Sequence, residues 1–537
     1  MGEQESLNRL RSARIDRRTF TIGAAVSAAA VAGGVVAVNA QDATPAATTS
    51  SFTLPEGVEA SVLASGLNNP RFVKVVDDWI FYTEAGTGGE DALYATPATG
   101  QTDTGDPVSK RGYNGTLKSI GPDGSEYTIV DDFISYTFGA VEIVGASGIG
   151  FDGNGSGYVI VGAPGPYISQ IDRTGEEAAV YKVDLATGEK AVLADIGAYE
   201  IANNPDPATV DSNPYGGTYA DGLVYVADAG GNTVYAVNAE TGEIAVFAVP
   251  GGLPAPFLGD AGNPLRGGAK EIDSVPSSVT QGPNGNFFVP FITGGPFPPG
   301  AAPVYEYAPD GTQSVFVDGL TMASDIAFSS DGTAYVCIMS TNMVQGGAGQ
   351  VVRIGADGNK TVVLDALQAP IGIAFDTDDN LFMTHKGNGF PGAGELVRFT
   401  GVTTAEGTPF ELPATEAPAT PEAATPAVTE EATEEAASPA ASPATGLATD
   451  VTIDMVDIKF EPAEITIPAD TDVVVQLVNK GALPHDFVID ELHVNSGIVP
   501  ADGKAVVKVN APAGKYTYYC SQPGHRTAGM EGTLIAK

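Results

Sequence analysis

Asn213–Phe247, NPYGGTYADGLVYVADAGGNTVYAVNAETGEIAVF, is the stretch from which the fold can be read. Four short apolar runs are separated by Asp221-Gly222, Gly230-Gly231-Asn232 and Thr241-Gly242, residues that suit tight hairpin turns. The same plan recurs outward in both directions. Copies begin at Asn69 (NPRFVKVVDDWIFYTEAG, then GTLKSIGPDGSEYTIV), Ser147 (SGIGFDGNGSGYVIVGAP), Pro276 (PSSVTQGPNGNFFVPF), Ala323 (ASDIAFSSDGTAYVCIMS) and Ala369 (APIGIAFDTDDNLFMTHKG). Each copy supplies four short strands.

Four-strand repeats spaced by roughly 40 to 80 residues are the pattern of a β-propeller, in which each blade buries its faces against its neighbours. Residues 54–401 are therefore expected to form six blades. The last copy stops at GELVRFTG, Gly394–Gly401, without a fourth strand. GVEASVLASGL, Gly57–Leu67, stands unpaired before the first copy and matches the fourth-strand text KTVVLDAL, Lys360–Leu367. The N-terminal strand is thus expected to complete the final blade and remove two sheet edges.

Composition agrees with an all-β chain. Gly 67 and Pro 38 among 537 residues, with 17% charged and 43% hydrophobic, describe a folded, turn-rich protein of several domains. With 26 Lys plus Arg and 66 Asp plus Glu, the formal charge is 26 − 66 = −40. That balance repels phosphate backbones and anionic lipid, so neither nucleic acid nor a membrane surface is an expected partner. Two cysteines, Cys337 and Cys520, cannot make a disulfide framework.

Residues 1–40 read as an export signal. Arg17 and Arg18 precede an uncharged Ala/Gly-rich run, Ile22 to Val38, and a small-residue cleavage pattern at Val38-Asn39-Ala40. The segment resembles a twin-arginine signal, with Asp16 and Thr21 departing from the usual pattern; an uncleaved anchor is the alternative. No later segment is apolar and long enough to span a bilayer. Residues 402–447 are Ala, Thr, Pro and Glu, with no Lys or Arg between Arg398 and Lys459. They lack large side chains to offset the entropy of ordering, and are expected to be a disordered linker reaching on the order of 100 Å.

Residues 450–537 change to longer alternating strands, about right for an antiparallel β-sandwich. Two segments carry chemistry: NKGALPHDFVI, which holds His485, and YYCSQPGHRTAGMEGTL, which holds Cys520, His525 and Met530 at C-x4-H-x4-M spacing. Pro523, Gly524 and Gly529 let the intervening loop curl so that three side chains face one point. His485, 35 residues before Cys520, joins them only when the sandwich forms. Two imidazoles, one thiolate and a weak axial thioether are the donor set of a blue-copper electron-transfer site. Zinc favours a closed Cys/His tetrahedron without Met. The expected cofactor is one type 1 copper held by His485, Cys520, His525 and Met530.

With those residues in order, the C-terminal part resembles the cupredoxins of the plastocyanin, auracyanin and rusticyanin group. The resemblance implies that the residue after the first ligand, here Asp486, bonds across to the cysteine loop, where Ser521 fits the pattern. The edge of His525, among Pro523, Gly524, Ala528 and Gly529, is the expected electron port, with Arg526 beside it; His493 lies outside the motif. The large part resembles secreted propellers of the ScyD/ScyE type and, more loosely, NHL and lactonase-like six-bladed rings, which implies fold and transfers no catalytic residue.

Chemistry in the ring is sparse. His385 is its only histidine, and a structural role is expected for it. Glu84, Asp228 and Asp325 at strand ends could hold Ca²⁺, although solvated turn carboxylates are the ordinary reading. Cys337 in TAYVCIM reads as a buried small apolar residue. The function expected is an exported electron carrier, periplasmic, at the cell surface or extracellular. It exchanges one electron with a redox protein, a cytochrome or copper protein, while the propeller binds a ligand or partner. The alternatives are a propeller enzyme, either a quinone-cofactor dehydrogenase feeding the copper or a lactonase, and copper capture without turnover.

Overall fold

The computed structural model describes residues 54–94, 108–138, 142–208, 210–258, 262–263, 266–343, 346–389, 391–412, 450–456, 459–481, 485–492, 494–496, 499, 503–520 and 530–537. The expected export signal and most of the expected linker lie outside them. The chain divides into two compact units, 1–411 and 412–537.

Among the described residues the large unit holds six antiparallel sheets of four or more strands and a two-stranded pair, Leu253–Pro254 with Glu271–Ile272. In chain order the first strands of the six are Pro70–Val76, Ala146–Phe151, Pro214–Ala220, Thr280–Gln281, Ala323–Phe328 and Ile373–Phe375. The third sheet follows the four runs read from sequence: Pro214–Ala220, Leu223–Asp228, Thr233–Asn238 and Ile244–Ala248 pair in that order. The sixth takes its outer strand from the start of the chain, because Glu59–Leu67 pairs antiparallel with Gly394–Thr400. The expected strand exchange is therefore present.

Hydrogen bonds join each sheet to the next. Thr83 Oγ1 donates to the Ser147 carbonyl, Ala163 N–H to Asn213 Oδ1 at 3.2 Å, and Val275 N–H to Asn232 Oδ1 at 3.0 Å. Ser277 Oγ donates to Ala323 O at 2.7 Å and Ser324 Oγ to Ile371 O at 2.8 Å. Thr384 Oγ1 donates to Arg71 O, which links the sixth sheet back to the first. First strands approach closely where side chains are missing: a Cβ on Gly148 would lie 2.9 Å from Gly216 Cα. Between sheets the core is aromatic and aliphatic, as where the Tyr225, Phe247 and Phe287 rings meet at centroid distances of 5.0, 4.1 and 5.4 Å.

Two features depart from the composition reading. One α-helix, Ile196–Asn203, is present among the described residues, started by Asp195, whose carboxylate accepts from Ala198 N–H at 2.8 Å. Packed chain also continues past residue 401. Val402 and Ala405 are buried, Arg353 bonds the Ala405 carbonyl at 2.8 Å, and Thr408–Pro409 adds to the fifth sheet beside Lys360–Leu367. Small residues suffice there because Arg353 satisfies the backbone.

The small unit is a sandwich. One sheet orders Lys459–Glu461, Asp450–Val456, Val473–Asn479 and Lys504–Val509. The other orders Glu464–Ile467, Glu531–Ala536, Gly514–Tyr519, Val488–Ile489 and Val494–Asn495. It is mixed rather than antiparallel throughout, since Asp450–Val456 runs parallel to Val473–Asn479 and Glu464–Ile467 parallel to Glu531–Ala536. The cause is a change of sheet between Glu461 and Glu464. Alternate residues Val473, Val475 and Leu477 point into the core with Phe487, Ile489 and Leu534; full burial of each such side chain contributes about 1.5–3 kcal/mol. Among the described residues no helix is long and apolar enough to cross a membrane.

Candidate metal centre

Cys520 directly follows Gly514–Tyr519 and Met530 directly precedes Glu531–Ala536, so an antiparallel pair delivers both. Cys520 N–H donates to the Met530 carbonyl at 3.0 Å, which fixes the two backbones side by side. His485 comes from a different segment, held by a two-bond bridge to Val499: His485 N–H to Val499 O at 3.0 Å, and Val499 N–H to His485 O at 2.6 Å. Nothing in the sequence pattern singles out Val499.

These elements place His485 Nδ1 3.9 Å from Cys520 Sγ. His485, Cys520 and Met530 are each 0% exposed. The backbone N–H of Asp486 donates to Cys520 Sγ at 3.5 Å; the bond from Asp486 to the cysteine loop that the resemblance implies falls on residues from Ser521 onward, outside the described residues. Phe487 and Tyr518 back the segment with ring centroids 4.9 Å apart, and Tyr518 is held by its hydroxyl donating to Pro462 O at 2.8 Å. His525, with the loop from Ser521 to Gly529, and His493 lie outside the described residues.

The described donors fit a soft transition metal. Bonds of about 2.3 Å to sulfur and about 2.0 Å to nitrogen, meeting at about 110–130°, put the two donor atoms about 3.5–3.9 Å apart. The His485–Cys520 separation of 3.9 Å falls at the end of that range. A thiolate, an imidazole and a thioether in a water-excluded site are the ligands that select copper rather than magnesium or calcium. Among the described residues no three His, Cys, Asp or Glu side chains converge as a metal site, and His485 and Cys520 stand as a pair.

In the large unit, the acidic residues singled out from sequence are neither solvated nor grouped. Glu84 is 1% exposed and takes Lys118 Nζ at 2.8 Å and Thr116 Oγ1 at 3.0 Å. Asp228 accepts from Ser212 Oγ and Asn213 N–H, both at 2.7 Å, and from Gly231 N–H at 3.0 Å. Burial nonetheless pushes its carboxyl up to about 6. Asp325 accepts from Ser278 Oγ at 2.8 Å and Ile373 N–H at 3.0 Å, and burial raises its pKa. Each bonds neighbouring backbone or side chains, a structural task. His385 accepts from Gln368 N–H at 2.8 Å through Nε2 and faces Glu395 through Nδ1 at 3.0 Å, as expected of a structural histidine. Burial lowers its pKa. Cys337 is buried and in no disulfide, and burial drives its thiol pKa up. Sequence gave no warning of Asp211, which burial and the charge of Asp228 push up to about 7.

Comparison with known proteins bears on the small unit. The cupredoxin-like domain family matches residues 433–536, so the C-terminal part is a cupredoxin-like domain. Plastocyanin of Synechococcus sp. (strain JA-2-3B'a(2-13)) is 35% identical over 95 residues, covering 15% of this chain and 66% of the plastocyanin, just under two thirds of its length. Among solved structures, dithionite-reduced auracyanin of Roseiflexus castenholzii is 18% identical, covering 17% of this chain and 99% of its own, with a TM-score of 0.16. A gluconolactonase of Xanthomonas campestris is 11% identical, covering 64% of this chain and 90% of its own, with a TM-score of 0.36.

Proposed function

We propose that this chain is an exported one-electron carrier whose type 1 copper is held by Cys520, His485, Met530 and His525. The observation that carries the reading is the 3.9 Å approach of His485 Nδ1 to Cys520 Sγ inside a fully buried pocket. When bound, copper supplies reversible one-electron exchange between Cu(I) and Cu(II).

The residues of the chain do the rest. Cys520, held between Met530 and the Asp486 N–H, presents its sulfur in one orientation. The N–H donor draws charge from that sulfur and so favours the reduced state. Both bonds to Val499 hold the His485 main chain in place. Burial of all three described ligands excludes water, so neither oxidation state gains or loses a solvent ligand and reorganisation stays small. His525 belongs to the set by its spacing in the loop, and its edge is the proposed port to a redox protein, a cytochrome or another copper protein.

For the large unit, the six sheets, the bonds at all six seams and the strand shared between Glu59–Leu67 and Gly394–Thr400 support a closed six-bladed β-propeller of the ScyD/ScyE type. Its proposed role is to bind the ligand or partner beside which electrons are exchanged. The segment after Leu412 is its tether to the copper domain, and residues 1–40 direct export to the periplasm, cell surface or exterior.

The test is to add Cu(II) to the purified chain. An intense band near roughly 600 nm from thiolate-to-copper charge transfer is expected, and Cys520→Ser is expected to abolish it. A colourless wild-type protein, or a band unchanged in Cys520→Ser, contradicts the assignment.

A further inference from the structure

We propose that Asn479 is a positioning residue for His485, an inference that rests on the copper reading above. Asn479 ends the strand Val473–Asn479 and is 1% exposed. Its Nδ2 donates to the Val499 carbonyl at 2.9 Å, and its Oδ1 accepts from Gly481 N–H at 2.9 Å. Its own N–H donates to Gly503 O at 2.9 Å. The Val499 carbonyl therefore takes two donors, the Asn479 carboxamide and the His485 N–H at 3.0 Å.

One planar group thus ties together the turn leaving the strand and the residue that holds the histidine. An amide is required because the two partners differ in kind: Val499 O needs a donor and Gly481 N–H an acceptor. Those partners also fix which way round the carboxamide lies. Aspartate would keep the acceptor and set a second oxygen against the Val499 carbonyl; alanine would release both. Met530 and Cys520 are tied to each other through their own backbones, so the Asn479 clamp bears first on the His485–Asp486 segment, which meets Cys520 through the Asp486 N–H. Loosening it lets the imidazole move relative to a fixed sulfur, which changes how the site ranks Cu(II) against Cu(I). A residue serving stability alone has no such effect.

The experiment compares the full chain with Asn479→Ala, Asn479→Asp and, as a control, Leu477→Ala. Leu477 is a buried core residue on the same strand. With Cu(II) bound, Asn479→Ala is expected to change the Cu(II)-to-Cu(I) affinity ratio by about tenfold, a shift of about 59 mV for one electron, and to alter the ratio of the visible bands. Asn479→Asp is expected to shift in the same direction by less, and carries the test if the alanine variant does not fold. In the metal-free chain, the His485 and Val499 amides are expected to exchange about tenfold faster in the Asn479 variants than in the control. Leu477→Ala is expected to lower Tm and leave the potential unchanged. If both Asn479 variants lose Tm yet keep the wild-type potential, bands and exchange rates, the positioning role is overturned while the copper reading stands. If the wild-type chain shows no band near roughly 600 nm, the copper reading falls and this inference with it.

Discussion

The large unit and the sandwich use their buried polar groups in opposite ways. In the large unit Asp228, Asp325 and His385 are each engaged by backbone donors, and Glu84 by Lys118 and Thr116 of the next strand; Asp325 reaches from its own sheet to Ile373 of the next. In the sandwich His485 and Cys520 are anchored through their backbones, and their side chains face one another. The large unit repeats one physical solution from sheet to sheet, and repetition is what makes it legible. The sandwich places a few residues once, and the proposed copper chemistry rests on those.

The comparison breaks most visibly if the two units do not depend on different residues. Deleting residues 54–67 removes Glu59–Leu67 and bares the edge of Gly394–Thr400. The expected outcome is loss of the folded ring, seen as rapid proteolysis before residue 412, with the copper band intact. Next in size, Phe247→Ala opens the aromatic core of the third sheet and is expected to cost about 3–5 kcal/mol in urea unfolding of the ring. Thr384→Val, which removes the donor across the closing seam, is expected to cost about 1–2 kcal/mol, again without changing the copper spectrum.

Smaller effects sharpen the contrast. Asp211 is held up to about 7 and Asp228 up to about 6. A carboxyl whose folded pKa exceeds its unfolded value binds its proton more tightly when folded, so ring stability is expected to fall as pH rises from about 4 to about 7 and then level off. Asp211→Asn is expected to flatten that slope and to raise Tm at pH 8 by about 1–2 °C, discounted for partial exposure, with no gain at pH 4. Calorimetry across that range checks both signs. Met530→Gln, which would replace a thioether ligand by an amide oxygen, is expected to keep the band near roughly 600 nm while shifting the potential, measured by redox titration.

Much of the ring was legible because turn chemistry is local. Asp221-Gly222 and Thr241-Gly242 mark hairpins wherever they sit, and the likeness of Gly57–Leu67 to Lys360–Leu367 revealed a strand belonging at the other end. The helix Ile196–Asn203 was missed, although Asp195 gave a capping signal. Residues 402–412 were misread because Arg353, some fifty residues earlier in the chain, satisfies their carbonyls. The parallel pairs of the sandwich escaped notice because alternation along a strand does not tell which neighbour it chooses. At the site, donor types at fixed spacing pointed to His485, Cys520 and Met530, whereas Val499 meets His485 through backbone bonds that leave no mark on residue type, and the Asn479 carboxamide reaches Val499 across the fold, where no local pattern links the two.

X-ray absorption at the copper edge of the Cu(II)-loaded full chain tests the central assignment most directly. The account predicts one short sulfur scatterer and two imidazole nitrogens, with the sulfur lost in Cys520→Ser. A first shell of oxygen and nitrogen alone in the wild-type protein would contradict it.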